Sequence, residues 1–118
     1  MSCIIENKKK EILECSAGLL EDLFHAFNEI TREENLSSNN EFDQFLIKLK
    51  VAALTHGSID IDIADIFHSS DNIDLLIKLL EKAIPRIQSG LREHAVVNLW
   101  RFRDELIKYR EELAAQGK

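Results

Sequence analysis

The sequence predicts an all-α protein: a four-helix antiparallel bundle with a short extra helix between the second and third long helices, built by residues 1–118 as a single domain. Three observations lead there. Apolar residues recur at helical spacing along most of the chain. One proline and four glycines leave little material for the many turns of an all-β fold. With 45% hydrophobic and 31% charged residues, 118 positions can bury one core without disulfide or metal staples.

The first helix is expected over Ile4 to Glu34. Ile12, Leu13, Leu19, Leu20, Leu23, Phe24, Phe27 and Ile30 share an arc of roughly 120°, wide enough for two neighbours. Ser16 falls within that arc, where its hydroxyl would bond the Ile12 carbonyl. Ala17-Gly18 would let a neighbouring helix approach. On this reading Cys3 and Cys15 lie roughly 18 Å apart on one helix, beyond disulfide reach, as free thiols of a reducing compartment. Neither has a cation placed to make it a reactive thiolate.

Asn35 to Asn40 reads as a polar turn closing in a capping box, with Ser38 as N-cap and Glu41 three residues later. The second helix follows over Asn39 to His56, with Gly57 at C′. Phe42, Phe45, Leu46, Leu49 and Ala53 make its core stripe. Ile47, Val51 and Leu54 make a second strip on the far side.

Ser58 to His68 is ambiguous. Ile59, Ile61 and Ile63 alternate with Asp60 and Asp62, the period of a strand. A lone strand would leave its backbone groups unsatisfied, so an extended connection and a short helix capped by Asp62 are preferred. The isoleucines and Phe67 would then cover one of the second strips. The third long helix starts at Ser70 or Asp71, and Ile73, Leu76, Ile77, Leu80, Ile84 and Ile87 stay in phase through Pro85. That continuity favours a kinked helix reaching Gln88, with Ser89-Gly90 as the turn; the rival starts the last helix at Pro85.

The last helix, ending near Ala115, carries the candidate interaction face. Its core stripe is Leu91, Ala95, Leu99, Phe102, Leu106, Tyr109 and Leu113. About 120° away runs a second strip of Val96, Trp100 and Ile107. Arg92, Arg103 and Arg110 lie between the two, none with an acid three or four positions away. Arg101–Glu105, Asp104–Lys108 and Lys108–Glu112 are instead spaced for i,i+4 pairing. A tryptophan among arginines, off the core stripe, has the composition of a binding hot spot. The candidate partner-binding residues are therefore Arg92, Val96, Trp100, Arg103, Ile107 and Arg110.

Charge is unevenly spread within a net −6. Residues 1–81 hold 7 Lys/Arg against 16 Asp/Glu, and residues 82–118 hold 8 against 5. From Val51 to Ile77 there is no Lys or Arg, while Asp60, Asp62, Asp65, Asp71 and Asp74 are present. Asp60, Asp62, Asp65 and Asp71 form a candidate acidic epitope for a basic partner; the rival reading is a solvated loop whose aspartates cap helices.

Other chemistries find little footing. Asp22-x-x-His25 and Asp65-x-x-His68 echo the Glu-x-x-His pairs of di-metal bundles, but the core stripes offer no further carboxylates, so no metal is expected. Asp60-x-Asp62-x-x-Asp65 misses the oxygen, glycine and glutamate positions of a calcium loop. Arg86 and Arg92 stand at the wrong distance from His94 for an Arg-x4–6-His ribonuclease motif. No phosphate loop or nucleophile triad appears, so no enzyme, cofactor or small-molecule substrate is expected. No apolar run approaches the roughly 18 to 20 residues that cross a bilayer, and Met1 to Lys10 does not read as a signal peptide, which makes the cytoplasm the expected location.

A four-helix chain with a short third helix beside an acidic loop is similar in layout to the immunity proteins that neutralise nuclease toxins. That resemblance implies an acidic inhibitor of a basic partner. The function expected is a non-catalytic helical protein-binding module (inhibitor, immunity protein or adaptor), with homodimerisation through the last helix as one form. The alternative is a nucleic-acid-binding regulator that uses the arginine and tryptophan face, against which the net negative charge stands.

Overall fold

A computed structural model describes residues 2–36, 39–55 and 59–118. It corrects the all-α expectation: the chain is α+β, with helices packed against a three-stranded mixed sheet of order β2-β1-β3. The elements run β1 (Ser2–Asn7), β2 (Lys10–Ser16), α1 (Ala17–Glu33), α2 (Asn40–Leu54), β3 (Ile59–Asp62), α3 (Ile63–Ile66), α4 (Ser70–Ile87), a 3-10 turn (Gln88–Gly90) and α5 (Glu93–Ala115).

The expected first helix is thus a hairpin followed by a shorter helix. β1 and β2 pair antiparallel, with Cys3 opposite Cys15 and Ile5 opposite Leu13, all four buried. Leu13 and Cys15 point inward while Glu14 and Ser16 point out, a period-two pattern that the helical phase of Ile12 and Leu13 masks. The turn is just as well disguised. Lys8 and Lys9 both take positive φ, 54° and 71°, the conformation of a tight hairpin turn where Asn-Gly is the usual signal. What stabilises it is remote: the Asp62 carboxylate accepts the Lys8 N–H at 3.0 Å and the Lys9 N–H at 2.9 Å. The cysteines, expected far apart along one helix, are direct cross-strand neighbours, free and buried.

The hairpin also supplies the partner that β3 lacked in the sequence. β3 lies parallel to β1, Cys3 facing Ile59 and Ile5 facing Ile61. Asp62 ends the strand and caps α3, accepting the Ala64 N–H at 3.0 Å, as its position beside Ile63 predicted. Ser16 is not mid-helix: it is the N-cap of α1, its Oγ accepting the Leu19 N–H at 3.2 Å. A Cβ added at Gly18 would meet nothing closer than the Ser16 hydroxyl at 4.0 Å, so the glycine marks no close helix approach.

The remaining helices follow the expected phases more closely. Asn39 caps α2, its side chain accepting the Phe42 N–H at 3.0 Å. The expected cap Ser38 and the C′ residue Gly57 lie outside the described residues, as does His56. Glu41 accepts from Asn72 at 2.6 Å and from the His68 N–H, joining α2 to the start of α4. α4 does run through Pro85, which sits exposed, before the 3-10 turn.

One core joins both layers. Phe27 stands edge-on to Phe42 at 5.8 Å, and Phe45 to Phe67 at 5.7 Å. α1 packs on α2 and α4, α4 on α5, and β2 on α1 and α5. The Tyr109 hydroxyl donates to the Phe67 carbonyl at 2.9 Å, pinning α5 to the end of α3. Among the described residues no helix is long and apolar enough to cross a membrane.

Candidate protein-binding surface

The candidate face of α5 exists as a face, but two of its three arginines are already paired. Val96, Trp100 and Ile107 are half-buried against the core. Arg103 lies over the Trp100 ring at 5.0 Å, donating to Glu81 at 2.8 Å and to Asp104 at 3.0 Å. Arg110 donates to Asp74 at 2.6 Å, and Asp74 also holds Lys78 at 2.8 Å. The hydrogen bonds from Lys78 and Arg110 outweigh the cost of burial and hold the Asp74 carboxyl below its ordinary range. Arg92 is exposed at the N-cap position of α5 and makes no ion pair among the described residues.

A signal for this pairing was available. Arg103 and Arg110 are seven apart, as are Asp74 and Glu81, so one antiparallel register of α4 against α5 joins both pairs. The pairs expected within α5 do not form as spaced: Lys108 bonds Glu105, Asp104 bonds Arg103, and Glu112 bonds Lys8 of the hairpin turn.

The four candidate acidic residues separate. Asp60, Asp65 and Asp71 are exposed, whereas Asp62 is buried with both oxygens engaged. Burial alone would push the Asp62 carboxyl up; the backbone N–H groups of Lys9, Lys8 and Ala64 outweigh it and leave it below the ordinary value. Asp60 belongs to the outer face of the sheet, in register with Ile4 and through it with Glu14. This row is acidic at both ends and reaches the free edge of β3.

That edge is the surface the helical reading could not show. β3 pairs with β1 on one side, and no other described segment bonds its second side. Beside it stands the second strip of α2, one of the two second strips, of which the isoleucine segment was expected to cover one. It stays open: Ile47 is 61%, Val51 53% and Leu54 73% exposed. Between helix and strand runs a groove of about 370 Å³ lined by Ile47, Val51, Ile59 and Ile61, with Gln44, Lys48 and Asp60 at its rim. Three apolar side chains more than half exposed on one helix face make a patch on the order of a few hundred Å², the size at which such patches often serve contacts.

A second cleft, of about 620 Å³, opens where β2 meets the start of α5, and Glu14, Ser16, Arg92, His94 and Asn98 give it a polar lining of mixed charge. Cys15 lies behind it, fully buried. Burial pushes the Cys3 thiol up to about 11 and raises Cys15 further, so neither presents a thiolate at neutral pH. Asp22 and His25, the metal-like pair of the expected first helix, are both exposed on α1.

Comparison with family models, curated proteins and solved structures finds no match for this chain.

Proposed function

We propose that this chain is a non-catalytic protein-binding module that acts as an inhibitor or adaptor, with the α2–β3 groove as its docking surface. One observation carries the reading. Ile47 and Val51 stay open to solvent beside an unpaired strand edge, with Leu54 exposed on the same helix face, and Val97 is the one other exposed large apolar side chain among the described residues. Keeping such a strip exposed invites aggregation and gains nothing for the fold, so contact with another protein is the use that accounts for it.

The α5 face supports the reading less, because Arg103 and Arg110 are already neutralised by Glu81, Asp104 and Asp74. The same pairs weaken the nucleic-acid alternative, which needs free guanidinium groups for phosphates. The experiment is site-specific photocrosslinking in the cells that make the protein. A benzoylphenylalanine at Val51 is expected to give a discrete adduct that Ile47→Asp removes, while the same probe at Arg101 gives none. Equal adducts from both positions, insensitive to Ile47→Asp, would overturn the assignment.

A further inference from the structure

We infer that the open edge of β3 takes an extended segment of a partner protein as a fourth strand, and that this segment runs apolar, cationic, apolar. The inference rests on the docking surface just proposed and specifies what occupies it.

The backbone sets the shape of the occupant. Every second residue of an edge strand turns its N–H and C=O outward, and only another extended chain meets that row in full. A helix laid on the α2 strip would bury Ile47 and Val51 but leave the strand edge unpaired. An added strand does both, because its side chains alternate between the two faces of the sheet.

Alternation then sets the chemistry. Ile59 and Ile61 share the inner face with Cys3 and Ile5, and line the groove together with Ile47 and Val51. Residues of the added strand on that face enter an apolar slot. The residue between them emerges on the outer face, next to Asp60 and at the end of the row Glu14, Ile4, Asp60. Asp60 makes no ion pair among the described residues; Lys48 on α2 lines the same groove but does not bond it. A lysine or arginine there completes an opposite-charge cross-strand pair.

The same geometry disfavours a second copy of this chain. Any β3–β3 pairing that keeps the isoleucines over the groove sets an aspartate against Asp60, and like charges directly opposite destabilise a strand pair. The edge aspartate therefore blocks self-pairing and selects a cationic strand.

The test is titration of the labelled full chain with capped peptides, followed by NMR. The probes are Val-Lys-Val-Lys-Val, Val-Glu-Val-Glu-Val, the block sequence Val-Val-Val-Lys-Lys, and the lysine peptide N-methylated at every second residue. The alternating lysine peptide is expected to shift the amides of residues 59–62 and the methyls of Ile47 and Val51. It should bind at least tenfold more tightly than the other three. Asp60→Lys is expected to reverse the lysine–glutamate preference, and Asp60→Asn to abolish it; Asp60 is exposed, so both variants keep the fold. Equal binding of the lysine and glutamate peptides, or no effect of N-methylation, overturns strand addition. So does a dimer in sedimentation that Ile47→Asp dissociates. If strand addition fails while the Val51 crosslink still depends on Ile47, the docking surface stands with a different occupant; if that dependence fails too, the surface itself is refuted.

Discussion

Asp62 accepts the backbone N–H of Lys9 at 2.9 Å across 53 positions of chain, while its other oxygen receives Lys8 and Ala64. One carboxylate thus closes the hairpin turn, ends β3 and starts α3. Its carboxyl is held below the ordinary value near 3.8, so its contribution to stability is complete above that value and fades as pH falls through the lower, folded one. Asp62→Asn puts an amide N–H₂ against backbone donors and is expected to cost about 2 kcal/mol at neutral pH. Urea unfolding from pH 7 to pH 3 should show the wild-type advantage shrinking toward the acid end.

The α4–α5 seam offers a second check. Arg110 and Asp74 are each about one-third exposed, so their coupling is expected to be modest, about 0.5 to 1 kcal/mol. A double-mutant cycle with Arg110→Ala and Asp74→Ala measures it. A coupling of zero would mean that the pair does not hold in solution.

Cys3 and Cys15 are expected to resist a thiol reagent such as dithionitrobenzoate at pH 8 in the folded protein, since both are buried and raised. In denaturant both should react at the rate of exposed thiols. Because they sit on adjacent strands behind the same core, they should become reactive together as unfolding proceeds.

Truncations should separate the two apolar strips. Ile47→Ser and Leu54→Ser are expected to change stability by less than about 0.5 kcal/mol, as exposed positions do. Trp100→Ala removes a half-buried ring packed on the core and under Arg103, and is expected to cost about 2 kcal/mol. Thermal melts of the three variants decide it.

The parts of the fold legible in the sequence were those written in local periodicity. α4 with Pro85 inside it, α5, and the cap at Asp62 all follow from spacing and turn chemistry within a few residues. The hairpin was not legible because its turn carries lysines where glycine or asparagine would signal positive φ, and the compensating carboxylate lies far along the chain. Without β1 as a partner β3 reads as an unpaired strand, and so one disguised turn hides the whole sheet. The two-faced character of α2 is readable from Ile47, Val51 and Leu54, but that its second strip stays open is not. The α5 arginines show the converse: their partners were in the sequence all along, on the neighbouring helix at the same sevenfold spacing.

The Lys8-Lys9 turn has a consequence for the order in which the chain matures. Bent residues with no glycine between them have little reason to stay bent until the Asp62 carboxylate arrives, and that residue leaves the ribosome about 3 to 11 seconds later at about 5 to 20 residues per second. The amino-terminal strands therefore wait, unzipped, while the helices behind them begin to form. Chaperone contacts during biosynthesis should concentrate on Ser2–Ser16, made before Asp62 and among the last segments to settle.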